Sequence, residues 1–455
     1  MPKKIIALAT GHRLSTFGCG LLEGTKIETA FAVGYRVKIE CQKNQDKQEV
    51  LCHIGAPGKK LPESVIHRIA EEFKKNYKPL TAYGSPTTSP QVQADAALYF
   101  KALFPNQPIS DKQAGIGSSA KRMIDTWCAM TINLGDGIAL IVPAYSITQT
   151  NIEKYQGRAV IYNILELGPE KLAKKLQEDA ASGKIKGVVW QVGNPAGINV
   201  SDTVAKDIGE TVNKYGLALL EEVMYNDISH SQCASPAFHA GLNRNADEPL
   251  ILMNGSMSKG LGRQAGLRYN PYLTSEAHVN LLESALNIEA SHVHNLAPVA
   301  LHHTAPHFAE FAQESPVYLD NAKEIGSVLN QHPDILVHNP EMGPFTFVNI
   351  GEICNKTGLT PDGVTEYLLV GLEHAIVSVL TGKSFLLEGD HAATLRISAC
   401  GFNDPEQATI AAKVISAALS DTERMREFAQ TADLKFRLKK EINFPPYYEG
   451  YMMKK

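Results

Sequence analysis

Several features that would place a chain quickly are missing from this sequence. It has seven cysteines (Cys19, Cys41, Cys52, Cys128, Cys233, Cys354 and Cys400), and no two form a Cys-x-x-Cys pair. An odd, scattered set argues against a disulfide framework and for reduced thiols. No apolar run approaches the ~20 residues of a membrane span. The short run Ile5 to Ala9 after Lys3-Lys4 falls below the length of a secretory h-region. A cytoplasmic protein with no membrane partner is therefore expected. Formal net charge is only -4, so there is no basic footprint for nucleic acid. Repeats, low-complexity tracts, His-Glu-x-x-His and Gly-x-Ser-x-Gly are all absent.

What is present is ordinary in bulk and specific in detail. The chain has 455 residues, 44% hydrophobic and 20% charged, enough for two or three domains with substantial cores. Short apolar runs at 137–143, 159–165, 187–192, 217–220 and 249–253 alternate with helical patterns at 169–179 and 202–215. Continuous apolar strands between amphipathic helices predict α/β architecture, with a mainly parallel sheet covered on both faces. The C-terminal third mixes helices (320–331, 361–374, 405–418) with strands (345–350, 394–399), which predicts a smaller α+β domain. Further expectations are a strand over 29–40, a polar connection at 44–49, and helices at 63–77 and 91–104. A helix opens at 115–120 and runs to about Asn133, and the pattern loosens between Pro306 and Asn321.

Polar residues cluster where these strands end, the place open α/β sheets put their ligands. They are Asn194-Pro195-Ala196-Gly197, Glu222 with Tyr225, and Ser256-x-Ser258-Lys259. A lysine at the end of a buried strand loses hydration, which lowers its pKa and makes it an amine nucleophile able to form a Schiff base. The bland alternative is a surface lysine in a strand-to-helix loop. Gly117-Ser118-Ser119-Ala120, read as a helix start, offers backbone N–H groups and a dipole to a phosphate. Gly115-x-Gly117-x-x-Ala120 also fits a relaxed dinucleotide fingerprint, but residues 108–113 are not the apolar strand that fingerprint needs. His292, His294, His302, His303 and His307 cluster without the cysteine or acidic spacing of a metal site, so no metal is expected.

Taken in order, these motifs resemble the class I/II aminotransferases, the fold-type I enzymes dependent on pyridoxal 5'-phosphate (PLP). Ser256-x-Ser258-Lys259 with Ala265-Gly266-Leu267-Arg268 is similar to the family's lysine segment. Asn194-Pro195-Ala196-Gly197 is similar to its Asn-Pro-x-Gly, and Glu222-x-x-Tyr225 to its Asp-x-x-Tyr. Pro143-x-Tyr145 resembles its Pro-x-aromatic, and Leu395-Arg396-Ile397-Ser398 its C-terminal arginine motif.

The resemblance implies a Schiff base between Lys259 and PLP, with Lys259, Tyr225 and Glu222 as catalytic residues. Ser118, Ser119, Ala120, Ser256 and Arg268 would hold the cofactor phosphate. Tyr145 would stack on the ring, while Asn194 and Tyr225 would meet its 3′ oxygen. Arg396, Gly55 and Asn194 would bind substrate, and Tyr83 would reach the phosphate of the other subunit of a homodimer. It implies a segment 1–89 contributing to the small domain, a PLP-binding domain over 90–315, and a small domain over 316–455.

Two departures stand out. Glu222 is a methylene longer than the usual aspartate, with Glu221 an alternative that strand alternation turns to the other face. Arg268 follows Lys259 by nine residues, one more than usual, which leaves Arg263 as a second candidate. The expected activity is amino-group exchange between an α-amino acid and a 2-oxo acid. Elimination (a C–S lyase), racemisation or oxidation, a non-catalytic binding module, and a nicotinamide-dependent dehydrogenase are the rivals.

Overall fold

The structure of the protein is a computed structural model. It describes residues 29–75, 88–288 and 293–430, apart from Val192, Asn194 and Ala196. The dominant sheet has seven strands: β2 (Ala114–Gly117), β3 (Gly137–Val142), β4 (Arg158–Asn163), β5 (Gly187–Trp190), β6 (Ala218–Glu222), β7 (Ile251–Asn254) and β8 (Asn270–Leu273). Their order is β2-β8-β7-β6-β5-β3-β4, with β8 antiparallel to both its neighbours and the other pairings parallel. The fold is α/β with a mixed, mostly parallel sheet, as the apolar runs predict.

Those runs are continuous because both faces are covered. All six residues of β3 are buried. On β3, β6 and β7, odd-numbered residues (Ala139, Ile141, Leu219, Ile251, Met253) join one core, which holds the Pro90–Leu103 and Asp202–Lys214 helices. Even-numbered residues (Ile138, Leu140, Leu220, Leu252) join a second, with Met123, Ile124 and Trp127 of the Ala120–Thr131 helix. This period of two decides which strand-end side chains meet.

A four-stranded antiparallel sheet in the order β12-β13-β10-β9 is built from β9 (Leu336–His338), β10 (Phe345–Asn349), β12 (Leu380–Thr381) and β13 (Thr394–Ser398). The Val317–Leu329 and Pro405–Ser420 helices bury Ala322, Ile325, Ala412 and Ile415 against it. Chain from the N-terminal side joins this region: β1 (Gln48–Leu51) pairs in parallel with β11 (Ala375–Ser378). Beyond β1, Cys52 donates to the Ser378 carbonyl, and its own carbonyl accepts from Ser398 N. These bonds carry residues 53–58 alongside the end of β13, where Gly58 N donates to the Cys400 carbonyl.

Five expectations are corrected. Residues 29–40 are not a strand but part of the Thr29–Lys43 helix. The Val37, Ile39 alternation suggests a strand, yet Val33, Val37 and Cys41, four apart, pack together on Leu369 and Ile376. The polar connection at 44–49 ends in β1, which starts at Gln48. Residues 114–117 form β2 rather than a helix start, and the helix begins at Ala120. A Cβ at Gly115 would stand 2.4 Å from the Tyr272 ring, and one at Gly117 2.4 Å from Met123 Sδ, so tight packing explains these glycines. They lie within a strand instead of following one, so the dinucleotide fingerprint lacks its turn.

The loosened pattern at 306–321 is two helices, Phe308–Glu314 and Val317–Leu329, interrupted at Ser315-Pro316. The expected 361–374 helix stops early: Pro361–Glu366 is α-helical and Tyr367–Gly371 widens into a π-type turn before β11. Strand β8 carries no clear sequence signal, whereas the Glu276–Ile288 helix buries Val279, Leu282 and Leu286 at helical spacing.

Candidate active site

The C-terminal ends of β6 and β7 lie side by side, with Glu222 in register opposite Asn254. Lys259 follows β7 by five residues. Its Nζ donates to the Gly55 carbonyl at 2.5 Å and lies 5.6 Å from the centre of the Tyr225 ring. The Tyr225 hydroxyl donates to the same carbonyl at 2.5 Å. Position 55 must be glycine, since a Cβ there would sit 2.5 Å from Tyr225 Oη and 2.7 Å from Phe345 Cζ. Gly260 is similarly constrained, because a Cβ would meet Asp227 Oδ2 at 1.8 Å.

Burial lowers the Lys259 amine to about 8, helped by the positive charges of Arg396 and Arg268 and opposed by Cys400. It is therefore neutral far more often near physiological pH than an exposed lysine. Asp227, held against the lysine turn, is pushed up to about 6, chiefly by burial.

Glu222 is buried on the even-numbered face. Its Oε1 accepts from Asn254 Nδ2 at 3.3 Å, and its Oε2 has no partner. Burial raises its carboxyl to about 7 against the opposing Asn254 hydrogen bond. Glu221 turns to the other face, where its Oε2 accepts from Ser235 Oγ at 2.8 Å and Ala237 N at 3.0 Å. A buried carboxylate oxygen left without a donor fits a protonated ring nitrogen, so the residues present suit PLP at this point.

Ser118 and Ser119 form the turn between β2 and the Ala120–Thr131 helix. Ser119 Oγ caps that helix by accepting from Arg122 N at 3.2 Å. Asn254 Nδ2 donates to the Ala120 carbonyl at 3.0 Å, tying the helix start to the Glu222 strand end. Ser256 N donates to Tyr99 Oη at 3.1 Å, while Ser256 Oγ accepts from Ser258 N at 3.2 Å.

The two candidate arginines separate clearly. Arg263 is committed to Glu314 at 2.8 Å and stacks 3.8 Å above the Phe311 ring. Arg268 is exposed and makes no ion pair among the described residues.

Tyr145 starts the Ser146–Lys154 helix, and its backbone N is held by Gln191 Oε1 at 3.0 Å. Its phenol is close enough to Tyr225 to contribute to the upward shift of that hydroxyl, which burial dominates. Arg396, in β13, donates to the His53 carbonyl at 2.5 Å and lies 4.3 Å and 4.7 Å from the Phe345 and Phe385 ring centres. Its Nε is buried without a partner, and burial lowers the guanidinium to about 10. His53, beneath it, is lowered to about 4 by burial and by Arg396.

Lys259 and Tyr225 thus meet at the Gly55 carbonyl, Arg396 holds the neighbouring His53 carbonyl, and Glu222 and Ala120 are joined through Asn254. Asn194 and Tyr83 lie outside the described residues, as does His292. The other clustered histidines take separate partners: His302 meets Asp95 at 3.0 Å, with the His303 ring 5.4 Å from its own, His307 meets Glu310 at 3.2 Å, and His294 contacts the Leu267 carbonyl. No group of three possible metal ligands occurs among the described residues, and no described helix is long and apolar enough to cross a membrane. Sequence reasoning missed His53, Phe345, Phe385, Asp227 and Asn254. Only Asn254, a polar residue ending an apolar strand, left a signal there.

The sequence profile of the family described as aminotransferase class I and II matches residues 54–415. None of the curated proteins matches the sequence. Among solved structures, an aminotransferase from Mycobacterium tuberculosis is similar with a TM-score of 0.73 and 16% identity, covering 90% of this chain and 99% of that one. The aspartate aminotransferase from Rhizobium meliloti has a TM-score of 0.71 and 16% identity over 90% and 99% of the two chains. The alanine aminotransferase from Pyrococcus furiosus has a TM-score of 0.68 and 14% identity over 90% and 100%. At such identities these structures establish the fold, and the match over 54–415 establishes the lineage: the chain belongs to the class I and II aminotransferases.

Proposed function

We propose that this protein is a PLP-dependent aminotransferase that exchanges an amino group between an α-amino acid and a 2-oxo acid. The observation that carries this reading is the pairing of a partly buried, pKa-lowered Lys259 with a buried Glu222 whose Oε2 lacks a donor. PLP supplies an aldehyde that condenses with amines and an electron-withdrawing ring that stabilises charge at the substrate Cα.

Lys259 Nζ would hold the cofactor through its aldehyde and would serve as the base and acid that removes and returns the proton at the substrate Cα. Glu222 keeps the ring nitrogen protonated. The Tyr225 hydroxyl and Asn194 hold the 3′ oxygen, and Tyr145 covers the ring. Ser118, Ser119, Ser256, the backbone at Ala120 and Arg268 cradle the phosphate, with Arg263 already spent on Glu314. Arg396 would take the substrate α-carboxylate in its fork, a role its unpartnered Nε supports, with Gly55 and Asn194 as further substrate-binding residues. In this reading 90–315 is the PLP-binding domain, 1–89 and 316–455 supply the small domain, and Tyr83 crosses a homodimer.

The test is the visible spectrum of the PLP-loaded protein. A band absent in Lys259→Ala, bleached by an α-amino acid and restored by a 2-oxo acid, is the expected result. Release of ammonia and pyruvate with no oxo acid present would replace transamination with elimination. Absence of any band with added PLP would overturn the cofactor assignment.

A further inference from the structure

The carboxylate of Glu222 is held by a chain of buried amides that runs across three strands. Asn254 and Asn270 are both fully buried, one at the end of β7 and the other at the start of β8. Asn270 Nδ2 donates to Asn254 Oδ1 at 2.7 Å. Asn254 Nδ2 then donates to two acceptors, the Ala120 carbonyl at 3.0 Å and Glu222 Oε1 at 3.3 Å. The orientation of the Asn254 amide is not arbitrary. A backbone carbonyl can only accept, so the NH₂ end must face Ala120 and Glu222 while the oxygen faces Asn270.

The backbone sets up this contact. Glu222 and Asn254 are register partners on adjacent parallel strands, and both are even-numbered, so their side chains rise on the same face. With Oε1 held by Asn254, the other oxygen is the one left open. The Ala120 end of the network is the first residue of the helix whose start cradles the phosphate in the proposed function.

We propose that Asn254 is the positioning residue of this site: it fixes which oxygen of Glu222 is presented to the cofactor ring and favours the ionised form of that carboxylate. Asn270 locks Asn254, and the same amide ties Glu222 to the helix start, setting the span between the ring-nitrogen and phosphate contacts. The longer glutamate side chain is thereby pinned at one oxygen instead of sampling several rotamers. Cys128 of the Ala120–Thr131 helix also faces Glu222, which adds to the upward shift that burial imposes on its thiol. The cofactor part of this inference rests on the proposed function, whereas the contact between Asn254 and Glu222 does not.

The experiment uses Asn254→Asp, which keeps the shape and the acceptor for Asn270 but replaces the NH₂ donor. Two quantities are read: the protonation midpoint of Glu222 in the PLP-free protein, from infrared carboxyl bands assigned by subtracting Glu222→Gln, and the affinity for PLP. The midpoint is expected to rise above the present value of about 7. PLP affinity is expected to fall about tenfold or more, the scale of one hydrogen bond to a charged group. Asn270→Ala should move both in the same direction by less, and it decides the matter if Asn254→Asp does not fold. An unchanged midpoint and unchanged PLP affinity in these variants would overturn the proposal. Failure of the unaltered protein to bind PLP would instead sink the cofactor reading, and the midpoint alone would then decide the role of Asn254.

Discussion

At the scale of single residues, burial controls the chemistry, and it acts in opposite directions on acids and bases. Lys259 is lowered to about 8 and Glu222 raised to about 7, so each is shifted toward its neutral form. Arg396 shows how geometry adds to charge. Its guanidinium is sandwiched near Phe345 and Phe385 with Nε unpaired, so a lysine would keep the charge and lose the planar fork. Arg396→Lys is expected to raise KM for the amino acid roughly 10- to 100-fold, with a smaller change in kcat, because one charge-assisted hydrogen bond is lost. Steady-state kinetics with a saturable amino acid checks this. The arginine motif is visible in the sequence, but its aromatic walls come from residues 345 and 385 and are not.

At the scale of elements, the seven-stranded sheet positions everything else. Strand β6 places Leu220 in the even-numbered core, two residues before Glu222 and on the same face. Leu220→Ala would leave a cavity beneath the carboxylate and is expected to cost about 2–5 kcal/mol of stability, measured by denaturant unfolding. The parallel strands were legible because their apolar runs are continuous, a consequence of cover on both faces. Strand β8 was not legible: Asn270-Pro271-Tyr272-Leu273 is short and carries an asparagine and a proline, and its pairing depends on β2 and β7. The Thr29–Lys43 helix is hidden for a different reason: β-branched residues at alternate positions imitate a strand until their partners at 369 and 376 are known.

For the whole molecule, the same buried carboxylates make stability depend on pH. Glu221 and Glu222 bind protons more tightly when folded, with values of about 7 against 4.5 for an unperturbed glutamate. Their contribution is therefore complete below about 4.5 and is lost as pH rises through about 7. Lys259 works the other way, contributing stability that grows between about 8 and 10.5. In the PLP-free protein, Glu222→Gln is expected to flatten the fall in stability between pH 4.5 and 7 by at most about 1.4 kcal/mol per pH unit. Denaturant midpoints measured across that range, for both proteins, check the sign; an unchanged slope would mean Glu222 stays ionised throughout.

The sequence by itself determined the α/β class, and it pointed to Lys259, Glu222, Tyr225 and Arg396 as members of one candidate site. It could do so because alternating burial and local motif spacing are written along the chain. Only the tertiary structure decided that Gly55 arrives from the N-terminal side to accept hydrogen bonds from Lys259 and Tyr225, and that Arg263 is taken by Glu314. It alone also showed Asn254 and Asn270 converging on Glu222. Those contacts join residues tens to hundreds of positions apart, and what brings them together is strand order and register, which no local pattern encodes.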